Sequence, residues 1–179
     1  MRITISGPAG SGKTTACSKL AAVLSLDAVV FGNIFREFAA EKGLTLTELG
    51  DLAEKDRSID EMIDSRIVQI ARDRDDIILE SRLAAYMLNR NGIPAFKIYM
   101  DASPDVRIKR VGIRENETAE QALKVTAERQ ASEERRYKTY YNIDLKDTSV
   151  YDLIINTDDL DPDQVIQLIL EALEDNGCL

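Results

Sequence analysis

Gly7-Pro8-Ala9-Gly10-Ser11-Gly12-Lys13-Thr14 lies between a β-branched run, residues 2–6, and a segment with helical periodicity, residues 13–24. The octapeptide matches the pattern G-x-x-x-x-G-K-S/T in the strand–turn–helix context that this motif requires. Its glycines allow consecutive backbone N–H groups to point inward as an anion nest, and the following helix offers its positive N-terminal end to the same charge. The stretch therefore predicts a P-loop that cradles the phosphates of a nucleoside triphosphate.

Three side chains of the P-loop have distinct expected roles. Lys13 can reach the β- and γ-phosphates, the Thr14 hydroxyl suits Mg²⁺, and Thr15 supports the α-phosphate. We therefore predict ATP as co-substrate and Mg²⁺ as cofactor. The predicted triphosphate-binding residues in this stretch are Gly7, Pro8, Ala9, Gly10, Ser11, Gly12, Lys13, Thr14 and Thr15.

Strands alternate with helices along the whole chain. Predicted strands cover residues 2–6, 28–31, 77–79, 95–100 and 151–155. Alternation of this kind implies an α/β domain whose parallel strands are joined by right-handed crossovers. With the P-loop, it predicts the three-layer P-loop NTPase fold, with a short parallel sheet of about five strands.

Helical segments outside this alternation predict two excursions from the core. Beyond residues 13–24, helices are expected at residues 34–42, 46–55, 59–72 and 117–140 and from Pro162 to about residue 174. Thr45 with Glu48, and Ser58 with Glu61, have the spacing of capping boxes. No linker or repeat interrupts the chain, so residues 1–179 are predicted to form one kinase domain. Its excursions are an acceptor segment at about 33–73 and a lid region at about 112–142.

Composition excludes several classes of protein. The formal net charge of −9 argues against a polynucleotide partner, because such proteins neutralise phosphates with a basic surface. The absence of histidine excludes any mechanism that needs a histidine base or ligand. Two distant cysteines, Cys17 and Cys178, and no evident leader or membrane span favour a cytoplasmic protein.

Four segments together carry a more specific resemblance. They are GPAGSGKTT from Gly7, FGNIFR from Phe31, LESRLAAYM from Leu79, and the pair ERQASEERRY and YDLIINT near the end. On these segments, residues 1–173 resemble the nucleoside monophosphate kinase family, and most closely its short archaeal-type cytidylate kinases. The resemblance implies transfer of the γ-phosphate of ATP to CMP or dCMP, with an arginine-bearing lid that moves.

The resemblance also implies which residues hold the acceptor. Gly32 and Arg36 match the segment that opens the acceptor site, where the arginine grips the monophosphate. Arg82 would be the second clamp, since a guanidinium fork pairs bidentately with phosphate oxygens. Glu80 would orient the waters of Mg²⁺ or the acceptor. The chain departs from its relatives at three positions, which would alter or narrow the acceptor site: Asn33, Ser81 and Ala85.

The lid pattern is Arg129-x-x-x-Glu133-x-x-Arg136, in which the family's arginines embrace the transferring phosphates and the carboxylate holds them. We assign catalysis to Lys13, Arg129 and Arg136. Arg110 and Arg114, at helical spacing, join the triphosphate-binding set, whereas Arg107 and Arg135 are interpreted as surface charges. The tyrosines 137, 140 and 141 are expected to pack the far end of the lid. The acceptor set is Gly32, Arg36, Asp60, Asp64, Arg82 and Glu133.

Asp60 and Asp64 bear on the choice of base. They lie four residues apart on a predicted helix of the acceptor segment, and a carboxylate can accept a hydrogen bond from the N4 amino group of cytosine. Three alternatives remain at this stage: a kinase for AMP or UMP, a shikimate-type kinase in which Glu80 positions an alcohol, and an ATP-binding regulator. The expected partners are the small nucleotides ATP and CMP or dCMP, with no nucleic acid and no membrane. The protein itself is expected to be a monomer.

Overall fold

The computed structural model describes residues 1–179 as five strands and eight helices. The strands are β1 (Arg2–Ser6), β2 (Asp27–Val30), β3 (Ile77–Glu80), β4 (Phe96–Asp101) and β5 (Leu153–Asn156). The helices are α1 (Lys13–Leu24), α2 (Phe31–Glu41), α3 (Leu46–Lys55), α4 (Arg57–Asp73), α5 (Ala84–Arg90), α6 (Pro104–Glu115), α7 (Ala119–Tyr141) and α8 (Pro162–Asp175). The expected α/β class is confirmed.

All five strands are parallel, in the order β2-β3-β1-β4-β5. β1 is central, so the P-loop leaves the middle of the sheet at its carboxyl edge, where α/β proteins bind ligands. The register places Ile5 of β1 beside Glu80 of β3, and Ser6 beside Tyr99 of β4. The pairing of β1 with β3 therefore places Glu80 next to the start of the P-loop.

Each face of the sheet has its own apolar layer. α1 and α8 cover one face, where Cys17, Leu20 and Ile169 pack on β-strand side chains such as Ile5. The other face is covered by α4 and α5, with residues such as Ile67 and Leu88 in the same cluster as Ile77 and Leu79. Strands buried on both faces explain the continuous apolar run at the start of β3.

The acceptor segment and the lid region form a second level of packing. A small cluster of Ala39, Leu49, Ala53 and Ile59 holds α2, α3 and the start of α4 together. The long lid helix α7 packs against both α6 and α3, so the lid region lies directly on the acceptor segment. No helix combines the length and apolarity needed to cross a membrane.

Several sequence-based boundaries differ from the structure. The capping box of Thr45 and Glu48 is confirmed, but the Ser58 cap is wrong because Asp56 caps α4 by accepting from the Ser58 N–H at 3.0 Å. α2 begins three residues earlier than expected, which places Gly32 in its first turn. Helix α5 was not predicted, because it has only seven residues and its first five are buried or partly buried, which leaves no amphipathic pattern.

Candidate active site

The P-loop has the backbone geometry that its glycines permit. Gly10 and Gly12 have φ angles of 83° and 92°, in the region that favours glycine. A Cβ on Gly10 would lie 2.5 Å from the carbonyl oxygen of Arg107, and one on Gly7 would lie 1.9 Å from that of Met100. The loop is therefore held tightly against the ends of β4 and α6, with α1 opening directly behind it.

Lys13 and Thr14, the first two residues of α1, have different partners. Lys13 Nζ donates to the carbonyl oxygen of Pro8 at 2.7 Å, and the Thr14 hydroxyl donates to Glu80 Oε2 at 2.9 Å. Burial lowers the pKa of Lys13 to about 7, against the opposing charge of Glu80. A bound triphosphate adds negative charge, which favours the ammonium form.

The side chain of Arg110 is hydrogen-bonded to the backbone of the P-loop. Its guanidinium donates to the carbonyl oxygens of Gly10, at 3.3 Å, and Thr157, at 2.7 Å. This guanidinium thus bonds main-chain oxygens, and its contact with a phosphate stays a prediction. Thr157, which also bonds Ser11 through its hydroxyl, was missed by sequence reasoning. Arg114 forms an ion pair with its neighbour Glu115 at 2.8 Å and lines the cavity that contains the P-loop.

A single cavity of about 500 Å³ joins the P-loop, the acceptor segment and the lid region. All the predicted site residues line it except Gly7 and Pro8, the first two residues of the P-loop. The lining set from the prediction is Ala9, Gly10, Ser11, Gly12, Lys13, Thr14, Thr15, Gly32, Arg36, Asp60, Asp64, Glu80, Arg82, Arg110, Arg114, Arg129, Glu133 and Arg136. The cavity is large enough for a small organic ligand and strongly charged.

The middle of the cavity holds an excess of positive charge around one carboxylate. Glu133 Oε2 lies 2.7 Å from Arg82 Nη2, and both side chains are largely buried. Burial lowers the pKa of Arg129; Glu133 opposes this shift, while Arg82 and Arg36 add to it. Several guanidinium groups sharing one carboxylate form an arrangement suited to phosphate groups, which would supply the missing negative charge.

Asn33 has an observed role in placing Arg36. The Arg36 guanidinium donates to Asn33 Oδ1 at 3.0 Å within the first turns of α2. The asparagine oxygen accepts this hydrogen bond without adding a negative charge. Arg36 is therefore oriented towards the cavity and keeps its charge uncompensated by this neighbour.

Arg136 lies away from the P-loop, against Asp60. The two side chains form a buried ion pair, with 4% and 3% of the residues exposed, and Phe35 and Tyr137 flank the guanidinium. Sequence reasoning grouped Arg136 with Arg129 because both lie on one helical stripe. Seven residues along a helix is about 10 Å, however, so one stripe can serve both ends of a cavity. Asp60 Oδ2 and Arg136 Nε have no partner within the protein.

Asp64 lies beside this pair and is bonded from the lid region. Tyr141 donates its phenol O–H to Asp64 Oδ2 at 2.9 Å. Burial and the nearby Asp60 raise the pKa of Asp64 to about 7, while the Tyr141 hydrogen bond and Arg136 oppose that rise.

The three lid tyrosines have different positions. Tyr140 confirms the expected packing, since its hydroxyl donates to the carbonyl oxygens of Ala53 and Glu54. Tyr137 and Tyr141 also pack, in the cluster with Ile63 and Ile67, but Tyr137 lines the cavity and Tyr141 bonds Asp64, which the sequence did not predict.

The burial of Asp64 should make stability depend on pH. Its folded pKa of about 7 lies above the ordinary value of 3.8, so the folded state holds the proton more tightly and stability falls as pH rises from about 4 to 7. Asp64→Asn removes this titration. The variant should gain about 2–3 kcal/mol in unfolding free energy, relative to the parent chain, between pH 5 and pH 8.

Urea unfolding at both pH values measures this gain. Asp73→Asn, exposed on the same helix, is the matched control and should show no comparable difference. Equal changes in the two variants would contradict the account of Asp64.

Known proteins resemble this chain in sequence and in fold. Residues 2–159 match the model of the cytidylate kinase-like family. A protein named cytidylate kinase from Haloarcula marismortui is 46% identical over 97% of this chain and 90% of its own length. One of the same name from Methanocaldococcus jannaschii is 45% identical over 97% of this chain and 98% of its own. The crystal structure of a shikimate kinase from Bacteroides thetaiotaomicron has a TM-score of 0.62 at 16% identity, covering 97% of this chain and 98% of that one, which shows a shared fold.

Proposed function

The chain belongs to the cytidylate kinase-like family and is an ATP-dependent kinase, and we propose that it transfers the γ-phosphate of ATP to CMP or dCMP in the cavity described above, giving ADP and CDP or dCDP. The observation that carries the proposal is the position of two anion-binding groups in one cavity. The P-loop lies at one end, the arginines around Glu133 lie in the middle, and two buried carboxylates lie at the other end. We take the whole chain, residues 1–179, as one kinase domain.

Alignment and charge neutralisation supply the catalysis in this proposal. The acceptor phosphate is already largely ionised near pH 7, so no base has to remove a proton from a hydroxyl group, in keeping with a chain without histidine. Lys13 and Arg129 offset charge on the transferring phosphoryl group. Arg36 and Arg82 hold the acceptor phosphate in line with the donor. Arg110 fixes the P-loop by its Gly10 carbonyl oxygen.

The residues present fit a magnesium ion beside the P-loop. Thr14 Oγ1 and Glu80 Oε2 lie 2.9 Å apart, and both are oxygen donors of the kind that Mg²⁺ prefers. No group of three metal-ligating side chains occurs in the structure, which agrees with an ion held mainly by phosphate and water oxygens. Thr14 would bind the ion directly and Glu80 through water. The ion would neutralise phosphate charge, while the protein side chains position both nucleotides.

Base selection is assigned to the acceptor end of the cavity. Asp60 Oδ2 is buried without a partner, and Asp64 keeps one carboxylate oxygen free of any protein donor. Acceptor atoms of this kind suit the N4 amino group of cytosine, whereas the O4 carbonyl of uracil would meet repulsion. An adjacent guanidinium, that of Arg136, offers donors to the ring acceptors of cytosine. Asp60, Asp64 and Arg136 therefore form the proposed base-binding set.

A coupled assay of ADP release tests the proposal. With Mg-ATP, turnover is expected with CMP and dCMP and should be at least tenfold slower with UMP, AMP, GMP or shikimate. Asp60→Asn and Asp64→Asn should each lower the ratio of kcat/KM for CMP to that for UMP by about tenfold, because an amide can donate to O4. Fast turnover with AMP or UMP alone would refute the base assignment, and ATP binding without any nucleotide-dependent ADP release would refute the activity.

A further inference from the structure

Tyr141 contacts Asp64, a member of the proposed base-binding set, from outside the cavity. It is the last residue of α7, and its hydroxyl donates to Asp64 Oδ2 at 2.9 Å, across 77 residues of sequence. Asp64 is 5% exposed and lines the cavity, whereas Tyr141 does not line it. Tyr141 therefore acts on a ligand through the cavity residues that it contacts, and Asp64 is the one that it hydrogen-bonds.

Asp64 has no other donor in the protein. The groups that act most strongly on it are Asp60 on its own helix and Glu133, Arg136 and Tyr141 on α7. Asp60 and Glu133 disfavour its ionised form, as does burial, while Arg136 and Tyr141 favour it. The guanidinium of Arg136 is bonded to Asp60, so the Tyr141 hydroxyl supplies the one hydrogen bond that both orients the Asp64 carboxylate and stabilises its charge.

We propose that Tyr141 is a positioning residue for base selection: its hydroxyl holds Asp64 as an ionised hydrogen-bond acceptor and so sets the preference for cytosine over uracil. This inference rests on the proposed function, in which Asp64 contacts the acceptor base.

The chemistry of the two bases connects the proton on Asp64 to selectivity. An ionised carboxylate only accepts, so it suits the N4 amino group of cytosine and repels the O4 carbonyl of uracil. A protonated carboxyl group can donate to that carbonyl. With a pKa raised to about 7, Asp64 lies near the point where either form is populated at neutral pH. Selectivity for CMP should thus rise with pH, and removal of the Tyr141 hydroxyl should move that rise to higher pH.

Adjacent tyrosines provide a matched test. Tyr141→Phe removes the hydrogen bond to Asp64 but keeps the aromatic ring. The centroid of that ring lies 6.3 Å from the ring centroid of Tyr137 and 6.5 Å from that of Tyr140. Tyr140→Phe removes a hydroxyl whose hydrogen bonds go to two main-chain oxygens in the last turn of α3, those of Ala53 and Glu54. The ratio of kcat/KM for CMP to that for UMP is measured from pH 6 to pH 9 for the parent chain, both variants and Asp64→Asn. Thermal melting verifies that each is folded.

For Tyr141→Phe, the ratio is expected to fall about fivefold at pH 7 and to recover by pH 9, with its midpoint about one pH unit higher. Tyr140→Phe should keep the parent ratio and midpoint, even where its melting temperature drops. Asp64→Asn should give a low ratio at every pH. A parent-like profile in Tyr141→Phe, together with a low ratio in Asp64→Asn, would overturn the role of Tyr141 alone. An unchanged ratio in Asp64→Asn would overturn the base contact itself and this inference with it.

Discussion

Arg129→Ala is expected to lower kcat with CMP by about 10³–10⁵-fold, while the KM for ATP changes little. An arginine that stabilises the charge of a transferring phosphoryl group contributes about this factor in related phosphoryl transfers. Arg129 lies in the lid region beside Glu133, among the guanidinium groups of Arg36 and Arg82, and lines the cavity at its middle. Its loss removes donors that act most strongly on the transition state, so the effect falls on kcat.

Two further variants make this expectation specific. Arg129→Lys keeps the charge but not the planar fork, so an intermediate loss is expected. Arg135→Ala is the matched control on the same helix: its side chain is 61% exposed and pairs with Glu54 on α3, outside the cavity. Single-turnover rates with saturating Mg-ATP and CMP measure all three. A rate for Arg129→Ala within tenfold of the parent chain would remove Arg129 from the catalytic set.

Sequence patterns were sufficient where structure is set locally. The P-loop follows from eight consecutive residues, and the parallel sheet follows from alternating strands and helices. Glu80 was found through the family resemblance, and the register, which places it beside Ile5 at the end of β1, gives the physical reason for its position. The membership of the cavity was predicted from the P-loop motif and the family resemblance together, since neither pattern alone covers all its residues.

Contacts between distant segments were not predictable. Helical spacing placed Arg129 and Arg136 on one face, but it carried no information on what each end of α7 packs against. The partners Asp60 and Asp64 lie 76 and 77 residues from Arg136 and Tyr141, respectively. Tyr141 looked like a packing residue because its hydroxyl has no signature in the sequence. These contacts depend on the docking of α7 onto the acceptor segment, which is a tertiary property.

Asp60→Ala is expected to lower the free energy of unfolding by about 3–5 kcal/mol. The change leaves the Arg136 guanidinium buried without its counter-ion, and an isolated buried charge is strongly destabilising. Arg136→Met should destabilise the protein in the same way by leaving Asp60 uncompensated. The pair also joins α7 to α4, so its loss weakens the contact between the lid region and the acceptor segment.

The double variant Asp60→Leu with Arg136→Met separates stability from function. Replacing a buried ion pair by apolar side chains of similar volume is often neutral or stabilising, so its unfolding free energy should return to within about 1 kcal/mol of the parent chain. Its preference for CMP over UMP should nevertheless stay lost, because neither new side chain can bond a base. Urea unfolding and the kcat/KM ratio for CMP over UMP measure the two properties. A double variant that recovered both would show that the pair serves only to hold α7 on α4. Recovery of stability alone is the expected result, since the unpartnered Asp60 Oδ2 and Arg136 Nε leave the pair with bonding capacity that the protein itself does not use.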